Sequence, residues 1–149
     1  MNANSKITGK IFLLARLLKK KVDIVFSKFG LTVKTYEILT LIEAELNTST
    51  QLAKRMNLQL AGITQKTKML EKKGFISREI KKEDMRIWKF VLTQKGKNAL
   101  QKITPINMQI SECLYSSFSK ADKDKMLANL TEVIEQLQRI KDEQVKDFF

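Results

Sequence analysis

The sequence has no histidine and only one cysteine, Cys113, in 149 residues. These two shortages exclude much chemistry. Neither Ser-His-Asp nor Cys-His nucleophilic catalysis can be assembled within the chain. A zinc centre with the usual nitrogen and sulfur ligands cannot be built, and no disulfide can close inside one chain. Glycine is scarce, at five scattered residues, so there is no Gly-rich loop to cradle a phosphate. No apolar run approaches the length of a bilayer span. The apolar stretch Ile11–Leu14 is broken by Arg16 and followed by Lys19, Lys20 and Lys21, with no small-residue cleavage site. The expectation is therefore a cytoplasmic protein that is not a secretory precursor, not an enzyme and not membrane-bound, without metal or cofactor.

What the chain has in excess is positive charge: 28 Lys and Arg against 16 Asp and Glu, a net charge of +12. The excess is uneven. Residues 1–30 carry +6, residues 31–60 balance, residues 61–92 carry +5, and the remainder carries +1. Positive charge gathered on one segment favours phosphate contact over general solubility. With 43% hydrophobic residues, the chain is long enough and apolar enough for one domain with a real core.

Periodicity gives the element order. Ile7, Ile11, Leu14, Leu18, Val22 and Val25 recur at spacings of three and four, which predicts a helix over 6–28. Thr32 caps a second helix reaching about Glu45, with Tyr36, Leu39 and Ile42 on one face. Thr48 and Gln51 form a capping box for a short third helix with Leu52, Ala53 and Met56 inward. After a turn at Leu58-Gln59, a basic fourth helix runs from about Leu60 to Lys73 with Ile63, Thr67 and Leu70 inward, and Gly74 stops it. The period then becomes two. Ile76, Arg78 and Ile80 alternate, as do Trp88, Phe90 and Leu92, around a polar hairpin tip at 81–85. Thr93 caps a fifth helix to near Ser117, which Pro105 bends or splits. Ser119, with Asp122 at the third helical position, caps the last helix, striped by Met126, Leu130, Val133, Leu137 and Ile140.

On charge alone, the lysines of the fourth helix suit either a solvated face or a phosphate-contacting one. The flanking capping box, glycine stop and hairpin favour the second, because a helix beside a hairpin can occupy two adjacent grooves of a duplex. The stripe of the first helix, with its lysines, also suits an anionic membrane surface. Cys113 falls where a helix packs, with no basic neighbour in sequence to lower its pKa.

Four segments carry a family resemblance: Leu52-Ala53, Leu70-Glu71-Lys72-Lys73-Gly74-Phe75-Ile76-Ser77-Arg78, Asp84-Met85-Arg86 and Leu92-Thr93-Gln94-Lys95-Gly96. In this order and spacing the chain resembles the MarR family of winged-helix transcriptional regulators. The resemblance implies a mainly α fold with a small β wing, a winged helix-turn-helix with N- and C-terminal dimerisation helices. It implies one domain over 1–149, with dimerisation helices at 1–30 and 100–149 and a DNA-binding lobe at 31–99. The implied partners are double-stranded DNA, with a pseudo-palindromic operator, and a second copy of the chain. The implied function is a repressor.

By position, the fourth helix is similar to a recognition helix. Its groove-facing residues are Ala61, Gly62, Thr64, Gln65 and Lys68, and Lys66, Lys68 and Lys72 suit phosphates. Gln65 can pair bidentately with adenine. Thr48 and Thr50 complete the set at the third helix. In the wing, Arg86 resembles a minor-groove arginine and Asp84 the acid that fixes wing geometry, with Lys81 and Lys82 extending phosphate contact. Family members often place Ser or Thr at the helix start, where this chain has Gln59-Leu60-Ala61-Gly62, which moves specificity toward shape. The resemblance also implies control by a small, often aromatic anionic effector, for which Leu13, Arg16, Tyr36 and Leu39 are the candidates, or by oxidation, here through Cys113. A ligand-binding or interaction protein that keeps the winged scaffold without operator specificity is the other reading.

Overall fold

The computed structural model describes residues 2–81 and 84–146, with backbone alone at 81 and 84–86. The element order is α1 (Ala3–Lys28), α2 (Val33–Glu43), α3 (Ser49–Met56), α4 (Leu60–Lys72), β1 (Ile76–Lys81), β2 (Asp84–Leu92), α5 (Gln94–Tyr115), α6 (Lys120–Arg139) and α7 (Asp142–Lys146). Two compact units share the chain, 1–107 and 108–149, and the division falls inside α5.

The first unit holds the core. Two of its short helices, α2 and α3, begin where a side chain satisfies orphan backbone donors. Thr32 and Thr35 form a reciprocal box at α2, and Thr48 and Gln51 do the same at α3. The box at α2 uses threonine at its third position in place of Glu or Gln, so it departs from the usual pattern. Ile38, Leu39, Leu52, Ile63, Leu70 and Ile103 have lost all contact with solvent, each stabilising the fold by roughly 1.5–3 kcal/mol. Thr67 is equally buried, and its hydroxyl donates to the Ile63 carbonyl at 3.0 Å, so it leaves no unpaired donor. The expected inward sets of α3 and α4 are those observed.

The stripe of α1 divides in two. Val22 and Val25 pack on the core and Phe26 is buried within it. Phe26 stacks on Tyr36 of α2 with ring centroids 4.7 Å apart. Toward the N-terminus, Ile7, Ile11, Phe12, Leu14 and Leu17 are exposed. In the second unit Ser119 and Asp122 box α6 as expected, and none of its residues is buried. Leu130, Val133 and Leu137 of the expected stripe are open, while Met126 is half-buried.

Three expectations change. Pro105 does not split α5, which runs unbroken to Tyr115. Cys113 is exposed, not packed. Ile140 falls just past α6 as its C-cap, and a further five-residue helix, α7, follows; that turn is too short for periodicity to reveal.

Candidate nucleic-acid interface

The geometry of α4 follows from its sequence. Successive residues turn by about 100°, so burying Ile63, Thr67 and Leu70 turns Ala61, Gln65, Lys68 and Lys72 outward. All four are exposed. Thr64 is exposed on one flank. Gly62 and Lys66 are half-buried on the other flank, which removes Lys66 from the stripe that contains Gln65. Gln59 makes no side-chain cap at the start of α4. Its first-turn N–H groups therefore face outward with the positive end of the helix dipole, an arrangement that suits a phosphate. Nothing lies within 4 Å of a methyl added at Gly62, so a duplex backbone has free approach there.

Gly74, with φ of +77°, reverses the chain from α4 into the hairpin at a conformation that glycine adopts without penalty. Thr93 then closes the far end. Its hydroxyl donates to the Gly74 carbonyl at 2.6 Å and accepts from the Gly96 N–H at 3.2 Å. Gly96 sits directly on the Phe75 carbonyl; a Cβ there would come within 2.2 Å of that oxygen. The strands pair antiparallel, with Ile76 opposite Leu92, Arg78 opposite Phe90 and Ile80 opposite Trp88. On the outer edge of β2 the Phe90 N–H donates to the Asn47 carbonyl at 2.8 Å, which ties the wing to the residue before the Thr48 cap of α3.

The hairpin is fastened to α4 by an ion pair that the sequence reading missed. Arg78 donates through Nε and a terminal nitrogen to both carboxylate oxygens of Glu71, at 2.6 and 2.8 Å. Its guanidinium also lies 5.4 Å from the Phe90 ring centre. The Glu71 carboxylate holds the Arg78 pKa above its ordinary value, chiefly through this hydrogen bond. The two-pronged geometry fixes direction as well as distance. A charged residue in an apolar alternation, Ile76-Arg78-Ile80, was the available hint that a partner stood opposite.

The other expected residues are distributed as follows. Thr48 is half-buried, and its hydroxyl is engaged with Gln51 in the cap. Thr50 is exposed on the first turn of α3. The strands extend further into the expected tip than the sequence suggests, with Lys81 opposite Asp84 after an irregularity at Ile80/Lys81. The backbone of Arg86 lies within β2. The side chains of Lys81, Asp84 and Arg86, and Lys82 altogether, lie outside the described residues.

Among the described residues the four effector candidates sit at different depths and on different elements. Leu39 is core, at 0% exposure. Tyr36 stacks on Phe26, and its hydroxyl lies 3.2 Å from that of Thr104. Leu13 and Arg16 are exposed further along α1; Arg16 is about 15 Å from Phe26 along the axis, at 1.5 Å per residue. A shallow groove on α1 is lined by Lys6, Ile7, Lys10, Ile11 and Leu14, and a second cleft by Phe29, Phe75, Lys95, Asn98, Ala99 and Lys102. Neither contains any of the four.

Known proteins agree with this arrangement. The model of the MarR family matches residues 31–88, which spans α2 to the middle of β2. The HTH-type transcriptional regulator SarZ of Staphylococcus haemolyticus is 30% identical over 127 residues, covering 83% of this chain and 84% of that protein. The HTH-type transcriptional repressor YetL of Bacillus subtilis is 28% identical over 135 residues, covering 89% and 81%. Among solved structures, S. aureus MepR in complex with DNA shares the fold with a TM-score of 0.82 at 22% identity, covering 91% of this chain and 99% of that one. The relatives are named as regulators of transcription, not as enzymes. With its capped helix-turn-helix, its pinned two-stranded wing and these relatives, the chain belongs to the MarR family and is a winged-helix transcriptional regulator.

Proposed function

We propose that the protein is a repressor that binds a pseudo-palindromic operator as a homodimer, with α4 in the major groove and the wing in the adjacent minor groove. The observation that carries this reading is the exposed stripe Ala61–Gln65–Lys68–Lys72 beside a hairpin held by the Arg78–Glu71 pair. Gln65 reads a base edge, Lys68 and Lys72 contact phosphates, and Arg86 reaches the minor groove. The name of YetL as a repressor and the DNA-bound state of MepR support it. Among the described residues no helix is long and apolar enough to cross a membrane, which accords with action on DNA in the cytoplasm.

Dimerisation accounts for the apolar residues left open on the N-terminal half of α1 and on α6, since exposed stripes of this extent are otherwise a cause of aggregation. It assigns residues 1–30 and 100–149 to pairing and 31–99 to DNA. A small-molecule effector, aromatic and anionic, acts by favouring one spacing of the two recognition helices, with a coupling of roughly 1–3 kcal/mol. Its site, including Arg16 and Tyr36, is completed only in the dimer. Benzoate, as the probe, should lower operator affinity; unchanged affinity at saturating benzoate would remove this effector class.

Selection of bound sequences from a random duplex library at about 150 mM salt tests the main reading, because that salt suppresses non-specific contacts. Enrichment of a pseudo-palindrome is expected. No enrichment by folded, dimeric protein would contradict it.

A further inference from the structure

We infer that Trp88, backed by Ile80, is a DNA-backbone contact that packs against the sugar-phosphate strand lying between the two grooves. The inference rests on the operator-binding reading above and adds a contact to it.

Ile76–Leu92, Arg78–Phe90 and Ile80–Trp88 are successive rungs on one face. Ile76 and Phe90 are buried, so this face meets the core at its base. At the middle rung it meets α4, because Arg78 is bound there to Glu71. The third rung lies roughly 7 Å further out along the strands. There Trp88 is 53% exposed and Ile80 is 44% exposed. An indole left half open on a two-stranded ribbon is unfavourable in water unless another surface covers it.

The position of this rung specifies the covering surface. The face turns toward the recognition helix and continues past the last rung that the helix contacts. When α4 occupies a major groove and the wing the next minor groove, the element that separates the two grooves is one sugar-phosphate strand. That strand runs along this face. Deoxyribose offers a C–H surface for the indole ring, and the phosphates offer acceptors for Nε1–H, which can only donate. Lys68, on the exposed side of α4 one turn before Glu71, adds positive charge on the same side. Arg86 precedes Trp88 by two residues, on the side of the hairpin tip, so Trp88 also stands at the entrance to the minor groove. Such a contact positions the protein and carries no base information.

The experiment uses the full chain and the operator duplex obtained by selection. Trp88 is the single tryptophan, so intrinsic emission reports this site alone, while anisotropy of a labelled duplex reports binding independently. On saturation with duplex, emission should shift to shorter wavelength. Quenching by acrylamide, a neutral quencher, should fall about twofold as a half-exposed ring is covered. Trp88→Ala, whose folding is checked by circular dichroism, should bind about tenfold more weakly to operator and random duplex alike. Trp88→Phe, which keeps a ring and loses the donor, should fall between the two. Binding by anisotropy with unchanged quenching, and wild-type affinity in Trp88→Ala, would overturn the contact and leave the operator reading standing. Absence of binding to any duplex would remove both. Protection that rises with protein concentration without DNA would assign the patch to a contact between copies and overturn the proposal.

Discussion

At the scale of single residues, α4 separates buried from exposed positions by angle alone. Ile63, Thr67 and Leu70 are fully buried, and the residues opposite them are free for DNA. Gln65→Ala should therefore leave stability unchanged and lose roughly 1–3 kcal/mol of discrimination at one base pair per half-site. An identical selected profile would show that Gln65 reads no base. Gly62 separates stability from recognition. Alanine there meets nothing within 4 Å, so Gly62→Ala should raise stability by about 0.5–1 kcal/mol, the helix-interior penalty of glycine. If DNA approaches the bare backbone at that point, the same variant should bind more weakly; higher stability with unchanged affinity would exclude close approach. Arg86→Ala should reduce the dependence of log affinity on log salt by about one, measured by anisotropy across a salt series; an unchanged slope would take Arg86 out of the interface.

At the scale of elements, the caps were the most legible part of the sequence. The Thr48/Gln51 and Ser119/Asp122 boxes and the Gly74 stop sit where their residue types demand. These are local interactions, closed within three or four residues, and sequence spacing reads them directly. The contacts that fix the wing are not local. Arg78 reaches back seven residues to Glu71, and Phe90 bonds to Asn47. Alternation identified the face of Ile80 and Trp88 but not whether anything covers it, since period two is the same for a packed strand and an overhanging one. Leu39 illustrates the converse: its helical position was right, yet nothing in the spacing distinguishes a cavity wall from the centre of the core. The docking of α5 gives a prediction at this scale. Gly96→Ala would place a methyl on the Phe75 carbonyl, and should cost about 1–3 kcal/mol through overpacking. Thermal denaturation would measure it, and an unchanged midpoint would show that the α4–β1 junction yields easily. The Arg78–Glu71 pair is partly exposed, at 38% and 25%. Its removal by Arg78→Ala should change stability by no more than about 1 kcal/mol while weakening DNA binding, because the wing loses its fixed angle to α4.

At the scale of the whole molecule, uneven charge and uneven exposure carry the functional reading. The +5 of residues 61–92 coincides with α4 and the wing, and the apolar residues left open lie on α1 and α6. Other apolar residues, Ile80 and Trp88 among them, are open outside α1 and α6. The uneven charge was readable from composition along the chain. The uneven exposure was only half readable, because a stripe announces that a face will be covered without saying by what. Leu130→Glu on α6 should lower the dimer fraction in sedimentation equilibrium and reduce operator affinity with it; a fully dimeric variant would move the interface elsewhere. The most direct test of the central claim is hydroxyl-radical footprinting of the selected duplex. Two α4 helices in successive major grooves, each with a wing beside it, should protect two symmetry-related blocks of backbone whose centres are about 34–36 Å apart, one helical turn. A single protected block, or uniform protection along the duplex, would contradict a dimer that reads its operator through α4 and the wing.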